Sequence, residues 1–305
     1  MDSIETIDYE FDSSFMIAYE AQNRDYEIFY YNPRDLFLDD SVVKARGYYI
    51  KLIEDKYSYF SFLSEKIEIN LSNFHFIFLR QDPPFDMNYI TSTYILDRLT
   101  ESTKVINNPT AVRNSTEKIY TFKFYDYMPP TIVTQNISDL KNFLNIHHDI
   151  ITKPLYGNGG EGIFRSNKGI LNGINENNQY LDLPLMAQKY IPEISEGDRR
   201  IILIDGDYAG SVARVPEIGN IKANFHAGGS AKKTDLVFRD KEIINVLGPE
   251  LKKNNLFFVG IDVIGNYLTE INVTSPTGIK QINKLNNVNL EKVFWDKLEA
   301  KYKIG

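Results

Sequence analysis

The pattern of apolar and polar positions organises this chain around residues 257–278, which read FFVGIDVIGNYLTEINVTSPTG. That pattern predicts two short strands around a turn at Gly265-Asn266, running into a loop of Ser, Thr, Pro and Gly. Strand side chains alternate between faces, so Glu270 and Asn272 share one face with Leu268, while Thr269, Ile271 and Val273 point the other way. Asp262, in the first strand, joins the polar face only if it stands opposite Glu270. That register calls for an odd-length loop such as residues 265–267.

Elsewhere the periodicity predicts alternating strands and helices. Asp12-Ser13-Ser14 offers caps for a helix over 15–24, followed by a strand over 26–31 and an aromatic-rich meander or hairpin over 47–63. Residues 74–79 (FHFIFL) form a short apolar strand with Arg80-Gln81-Asp82-Pro83-Pro84 at its carboxyl end, where open α/β sheets bind ligands. A helix over 89–100, a strand over 104–107 and a helix over 113–124 come next. Residues 131–134, 150–154, 185–191, 201–204 and 208–215 read as strands, and 139–144, 240–254 and 290–302 as helices.

Length and composition narrow the class. The 305 residues suffice for two or three small domains. A hydrophobic content of 43% with 25% charged residues is that of a soluble globular protein. The net charge of -7, with Lys and Arg scattered, argues against a nucleic-acid partner. The absence of Cys excludes disulfides, thiolate metal sites and a Cys nucleophile, and fits a reducing compartment. No apolar run approaches the roughly 18 residues of a membrane span, and no signal-like segment opens the chain, so a cytoplasmic location is expected.

Candidate chemistry gathers in a few stretches. Asp262, Glu270 and Asn272 on one rigid face, without His or Cys, suit Mg²⁺ or Mn²⁺ held partly by phosphates. The strand over 150–154 delivers Lys153 to Gly157-Asn158-Gly159-Gly160-Glu161-Gly162, whose backbone N–H groups can cradle anionic oxygens. No Gly-Lys-Ser/Thr follows it, so the cradle is expected to span a β-hairpin rather than open a helix. A second small-residue loop, Ala227-Gly228-Gly229-Ser230, follows Lys222 and His226. Nothing matches a Ser-His-Asp triad, a zinc site or a dinucleotide fingerprint. Two phosphate-grade loops, two lysines and a carboxylate–amide face describe an ATP site with a divalent metal.

Collinear motifs then extend over nearly the whole chain. They are FDSSF at 11–15, RQDPPFD at 80–86, Asn108-Pro109, residues 113–118, KPLYGNGGEGIF at 153–164, YIPEISEGDRR at 190–200, ARVP at 213–216 and the stretch 258–279. With them the chain resembles the bacterial type of glutathione synthetase, of the ATP-grasp superfamily. The resemblance implies an α/β chain with an amino-terminal open α/β domain (residues 1–112), an ATP-grasp lid domain (113–189) and a carboxy-terminal catalytic domain (190–305). It implies ATP-driven ligation of γ-glutamylcysteine to glycine through an acyl phosphate, with Mg²⁺ or Mn²⁺, two ions being expected, and a homo-oligomer. By resemblance, Lys118 and Lys153 contact the ATP phosphates, and Gly159, Gly160 and Gly162 belong to the flap above them. Gln188, Lys189, Tyr190 and Ile191 form the adenine-side linker, with Asp198 near the ribose. Asp262, Glu270 and Asn272 are the metal ligands, Asn272 also facing the nucleotide. Arg200, Arg214 and Lys222 are the cations facing the dipeptide, acyl phosphate and product.

The departures from the family pattern are specific. Tyr156 stands where Asp is usual, Asn158 where Met is, and Lys222 and Ser230 where Arg is. Lys222 keeps the charge but loses the bidentate fork. The chain opens Met1-Asp2-Ser3 without a leading strand, so the first strand of the amino-terminal sheet is expected to be missing, with about six to eight more residues supplying it. Two other functions stay open: a divergent ATP-grasp carboxylate–amine ligase with another donor or acceptor, and a catalytically impaired nucleotide-binding relic.

Overall fold

The computed structural model describes residues 1–99, 103–157, 160–172, 183–217, 223 and 229–303. Helix α1 (Ser13–Asn23) starts where predicted, because the Asp12 carboxylate accepts the Phe15 N–H at 2.6 Å. Strands β1 (Ile28–Tyr30), β2 (Leu36–Asp39), β3 (Val42–Leu52), β4 (Phe60–Phe62) and β5 (Ile67–Asn70) make an antiparallel sheet in which long β3 pairs with all the others. Of the meander or hairpin expected over 47–63, the structure has the hairpin, β3 with β4, as part of a larger sheet. Strands β6 (Phe76–Phe78) and β7 (Lys104–Ile106) pair in parallel across helix α2 (Met87–Leu96), as a crossover connection requires. Asp86 caps α2 through the N–H groups of Asn88 and Tyr89, so that helix begins earlier than its periodicity suggests. Residues of β1 and β6, with Trp295, line an apolar cavity of about 550 Å³.

One predicted helix is two elements. Asn108 caps helix α3 (Pro109–Asn114) through the Ala111 N–H, with Pro109 at its first position. The chain then leaves helical geometry at Ser115 and re-enters it as a 3₁₀ helix, Ile119–Tyr127. The helix expected over 113–124 breaks at Ser115, whose φ of -121° and ψ of 61° are not helical, in a run of Asn, Ser and Thr that favours helix ends over helix interiors. That break is what brings Glu117 and Lys118 to the interior.

Two antiparallel sheets complete the chain. Strands β8 (Thr131–Thr134), β9 (Asp149–Pro154), β10 (Phe164–Asn167) and β11 (Leu185–Lys189) run in the order β10-β9-β11-β8, and helix α4 (Ile137–His147) packs Leu140, Phe143 and Leu144 against them. The larger sheet has the order β14-β13-β12-β15-β16, from β12 (Asp198–Ile204), β13 (Asp207–Val215), β14 (Ser230–Lys232), β15 (Phe258–Ile264) and β16 (Tyr267–Asn272). Helix α5 (Phe238–Lys253) covers one face, where Ile201 and Leu203 meet Ile243, Leu247 and Leu251. Helices α6 (Ile279–Asn286), which the sequence pattern did not signal, and α7 (Leu290–Tyr302) cover the other, against Ile202, Ile204 and Val212. Both faces of β12 are thus buried, which is why its apolar run is continuous, and each buried Ile or Leu contributes about 1.5–3 kcal/mol. Among the described residues no helix is long and apolar enough to cross a membrane.

Candidate active site

Asp262 and Glu270 stand directly opposite each other on β15 and β16, the register that places both carboxylates on one face. The connecting loop is not odd-length, however. Ile264 pairs with Tyr267 around the two-residue turn Gly265-Asn266, with Gly265 at φ +55°. The odd residue is Thr269, absorbed as a β-bulge between the Val263–Leu268 and Asp262–Glu270 pairs. Its hydroxyl donates to the Asp262 carbonyl at 3.1 Å.

The face opens on a pocket of about 550 Å³ between the two carboxy-terminal sheets and the amino-terminal segment. The pocket brings together Lys118, Lys153, Gly160, the linker residues Gln188, Lys189, Tyr190 and Ile191, Asp198, Arg200, Arg214, Asp262, Glu270 and Asn272. Strands β9 and β10 pair antiparallel, so the glycine-rich stretch does connect a hairpin. Gly162 is in the turn before β10, at φ +67°, and is not on the pocket wall. Gly159 and Lys222 lie outside the described residues, as do Asn158 and His226.

Charge is arranged in two paired clusters. Arg200 is the cross-strand partner of Asp262 and grips it bidentately, Nε–Oδ1 at 2.5 Å and Nη2–Oδ2 at 3.0 Å. Arg214 is the cross-strand partner of Asp198, binds both its oxygens at 2.6 Å, and places Nη2 2.9 Å from Asp262 Oδ2. The Asn272 amide donates to the same Asp262 oxygen at 3.2 Å. Burial pushes the Asp262 carboxyl up, but the two guanidiniums outweigh it and hold the group well below the usual carboxylate range. The expected substrate-facing arginines are therefore turned onto an expected metal ligand. Among the described residues no group of three His, Cys, Asp or Glu is placed to hold a metal ion, so the candidate donor set is two carboxylates and one amide.

The second cluster is built on Glu270. Lys118 and Lys153 each place Nζ 3.7 Å from Glu270 Oε1, and Lys118 also donates to the Gly157 carbonyl at 2.6 Å. Burial lifts the Glu270 carboxyl, and the two ammoniums bring it below its ordinary value. Burial pushes Lys153 down, with Glu270 opposing and Lys118 reinforcing. Lys153 is thus expected to lose its proton below the ordinary lysine range of about 10.4. A rise in the KM for ATP on the alkaline side should begin below that pH, and Lys153→Arg should move the limb upward. Identical alkaline limbs in the two proteins would contradict the assignment.

Among the pocket residues without a site role from sequence, four are charged or polar groups that matter to its geometry. Glu117 and Thr274 line the wall beside Lys118, and Asp12 and Asp82 line it from the amino-terminal segment. Asp12 was legible as a helix cap and Asp82 as part of a loop beyond a strand end, but nothing local said that both face the carboxy-terminal sheets.

Two antiparallel sheets closing on a pocket of paired lysines, arginines and carboxylates define an ATP-grasp carboxylate–amine ligase. Solved structures with this fold include the ATP-grasp ligase PsnB complexed with minimal precursor, at TM-score 0.61 and 17% identity over 93% of this chain and 94% of that one. A Chryseobacterium gregarium RiPP-associated ATP-grasp ligase, in complex with ADP and a leader and core peptide, aligns at TM-score 0.57 and 16% identity over 96% and 95% of the two chains. Sequence is more specific. Residues 1–113 match the N-terminal domain of prokaryotic glutathione synthetase, and residues 117–287 match its ATP-grasp domain. The chain belongs to the prokaryotic glutathione synthetase family. It is 44% identical to the glutathione synthetase of Agrobacterium fabrum over 99% of this chain and 95% of that one. It is 42% identical to that of Buchnera aphidicola, over 99% and 95%.

Proposed function

We propose that this protein joins γ-glutamylcysteine to glycine at the expense of ATP, through an acyl phosphate, releasing glutathione, ADP and phosphate. The observation that carries the reading is the convergence of Lys118, Lys153, Arg200 and Arg214 on the two carboxylates Asp262 and Glu270 in one pocket. The part of the wall from the amino-terminal domain is acidic, with Asp2, Asp8, Asp12 and Asp82. Cations suit the phosphates and the activated carboxylate, and carboxylates suit the α-ammonium of a γ-glutamyl donor.

Glu270, Asn272 and Asp262 are the residues that would hold Mg²⁺ or Mn²⁺, which neutralises phosphate charge when bound. Glu270 fits that role with an oxygen facing the pocket, whereas Asp262 must first give up a guanidinium. Lys118 and Lys153 move from Glu270 to phosphate oxygens. Arg200 and Arg214, released in part from Asp262, face the carboxylate as it gains the phosphoryl group and the oxyanion as the glycine amine attacks. Gly157 and Gly160, on the pocket wall at the β9–β10 hairpin, cover the phosphates and help keep water from the acyl phosphate. On the linker, the N–H groups of Lys189 and Tyr190 are bonded to the Pro130 and Asp149 carbonyls at 2.9 Å, so an adenine edge meets other backbone groups there.

A phosphate-release assay over a panel of donors and acceptors tests the reading. ATP cleavage is expected with γ-glutamylcysteine plus glycine and not with either alone. Tyr156, half exposed beside the glycine-rich stretch, and Ser230, exposed on β14, favour a ligase with a different donor or acceptor as the second reading. Faster release with another pair would establish it. Nucleotide binding without acceptor-dependent release from any pair would instead mark a relic.

A further inference from the structure

Glu117 has no part in the ligation scheme above, yet it is tied to the strand that carries the site. Its backbone carbonyl accepts the Ile271 N–H at 3.1 Å, and its Oε1 accepts the Thr274 hydroxyl at 2.7 Å. Ile271 lies between Glu270 and Asn272 on β16, the edge strand of its sheet, and Thr274 follows two residues beyond the strand's end. The Ile271 bond therefore meets an edge that, among the described residues, no further strand pairs with. Thr274 is buried, only 3% exposed, and both it and Glu117 reach the pocket wall. The very next residue is Lys118, with its ammonium 3.7 Å from Glu270 and 2.6 Å from the Gly157 carbonyl. Burial raises the Glu117 carboxyl, against the Thr274 hydrogen bond that it accepts.

We infer that Glu117 is a positioning residue: with Thr274 it pins the backbone before Lys118 to the edge of β16, and so sets where the Lys118 ammonium stands relative to Glu270. This rests on the nucleotide reading of the pocket. A lysine has a flexible four-carbon stem, so its ammonium is held at a phosphate only if its Cα is held first. The 3₁₀ helix that follows packs against β16, but its first residue comes after Lys118 and leaves the preceding turn to this pin.

The experiment compares ADP affinity by calorimetry, the KM values of all three substrates and the melting temperature for the full chain, four single variants and one double variant. Glu117→Ala and Thr274→Val each remove the side-chain bond, and each is expected to raise the ADP Kd and the KM for ATP by about tenfold, the size of one lost hydrogen bond. The KM values for donor and glycine should not move. Glu117→Gln and Thr274→Ser keep an acceptor and a donor, so they should recover most of the lost affinity. The double variant Glu117→Ala/Thr274→Val should be no worse than either single change, because one bond cannot be lost twice. Should Glu117→Ala fail to fold, the isosteric Thr274→Val carries the test. Lower melting temperatures with unchanged ADP affinity would overturn the inference, as would a Glu117→Gln variant as weak as Glu117→Ala. If the wild-type chain itself binds no ADP, the nucleotide reading falls and takes this one with it. If it binds ADP and the variants match it, positioning alone is wrong.

Discussion

Glu270→Gln is expected to lower turnover by about three orders of magnitude or more while leaving the protein folded, since metal-assisted charge neutralisation supplies several kcal/mol to phosphoryl transfer. Glu270 is the carboxylate that both Lys118 and Lys153 approach, at 3.7 Å each, and it stands opposite Asp262. The amide keeps the shape and loses the charge that a divalent ion needs. Its side chain is 25% exposed, so the change falls where the pocket opens, and burial already lowers the Lys153 ammonium below the ordinary lysine range. Phosphate release at saturating Mg²⁺, beside a circular dichroism melt, reads both effects. Near wild-type turnover would remove Glu270 from the metal set.

Asp262→Asn should behave differently, losing stability as well as activity. Its side chain is only 5% exposed, and two arginines form three contacts with it at 2.5–3.0 Å. The amide would leave the buried Arg200 and Arg214 with Asp198 as the carboxylate that Arg214 still binds. Breaking one partner of a buried ion cluster costs about 3–5 kcal/mol, a large share of a total near 5–15 kcal/mol. A fall in melting temperature of about 10 °C follows for a chain of this size. The pH dependence has a definite sign. The folded Asp262 carboxyl lies below its unfolded value of about 3.9, so its stabilisation is complete above that pH and disappears as pH falls through the folded value. Wild-type stability should therefore drop in acid more steeply than that of Asp262→Asn. A variant that melts with the wild type at pH 7, or shares its acid slope, would show that the cluster contributes little.

Much of this molecule was readable from local pattern. The run from Ile201 to Ile204 is a strand buried on both faces, and the Asp12 cap, the strand over 131–134 and the helix over 290–302 all stand where periodicity placed them. Capping, strand alternation and continuous apolar runs depend on neighbours a few residues away, which a sequence displays directly. Family membership was readable for a different reason, because collinear motifs covered almost the whole chain. The chemistry of the polar face could be stated too, since Asp262, Glu270 and Asn272 share a face in any register that pairs the two carboxylates.

What remained hidden depends on partners far apart in the chain. The Thr269 bulge supplies the odd residue that was expected in the loop, because a bulge is decided by how β15 and β16 pack together and leaves no mark in the alternation of either strand. The break after α3 was masked by a helix-like pattern over 113–124. Sequence put Asp198, Arg200, Arg214 and Asp262 near one site, but only the pairing of β12 with β13 and β15 decided that each arginine would face a carboxylate across the sheet. The link from Glu117 to Thr274 spans 157 positions. The chain alone therefore determined many of its elements, its family and the kinds of charge at its site. The tertiary structure decided which charge meets which, because register and sheet packing are set by the whole buried interior rather than by any one segment.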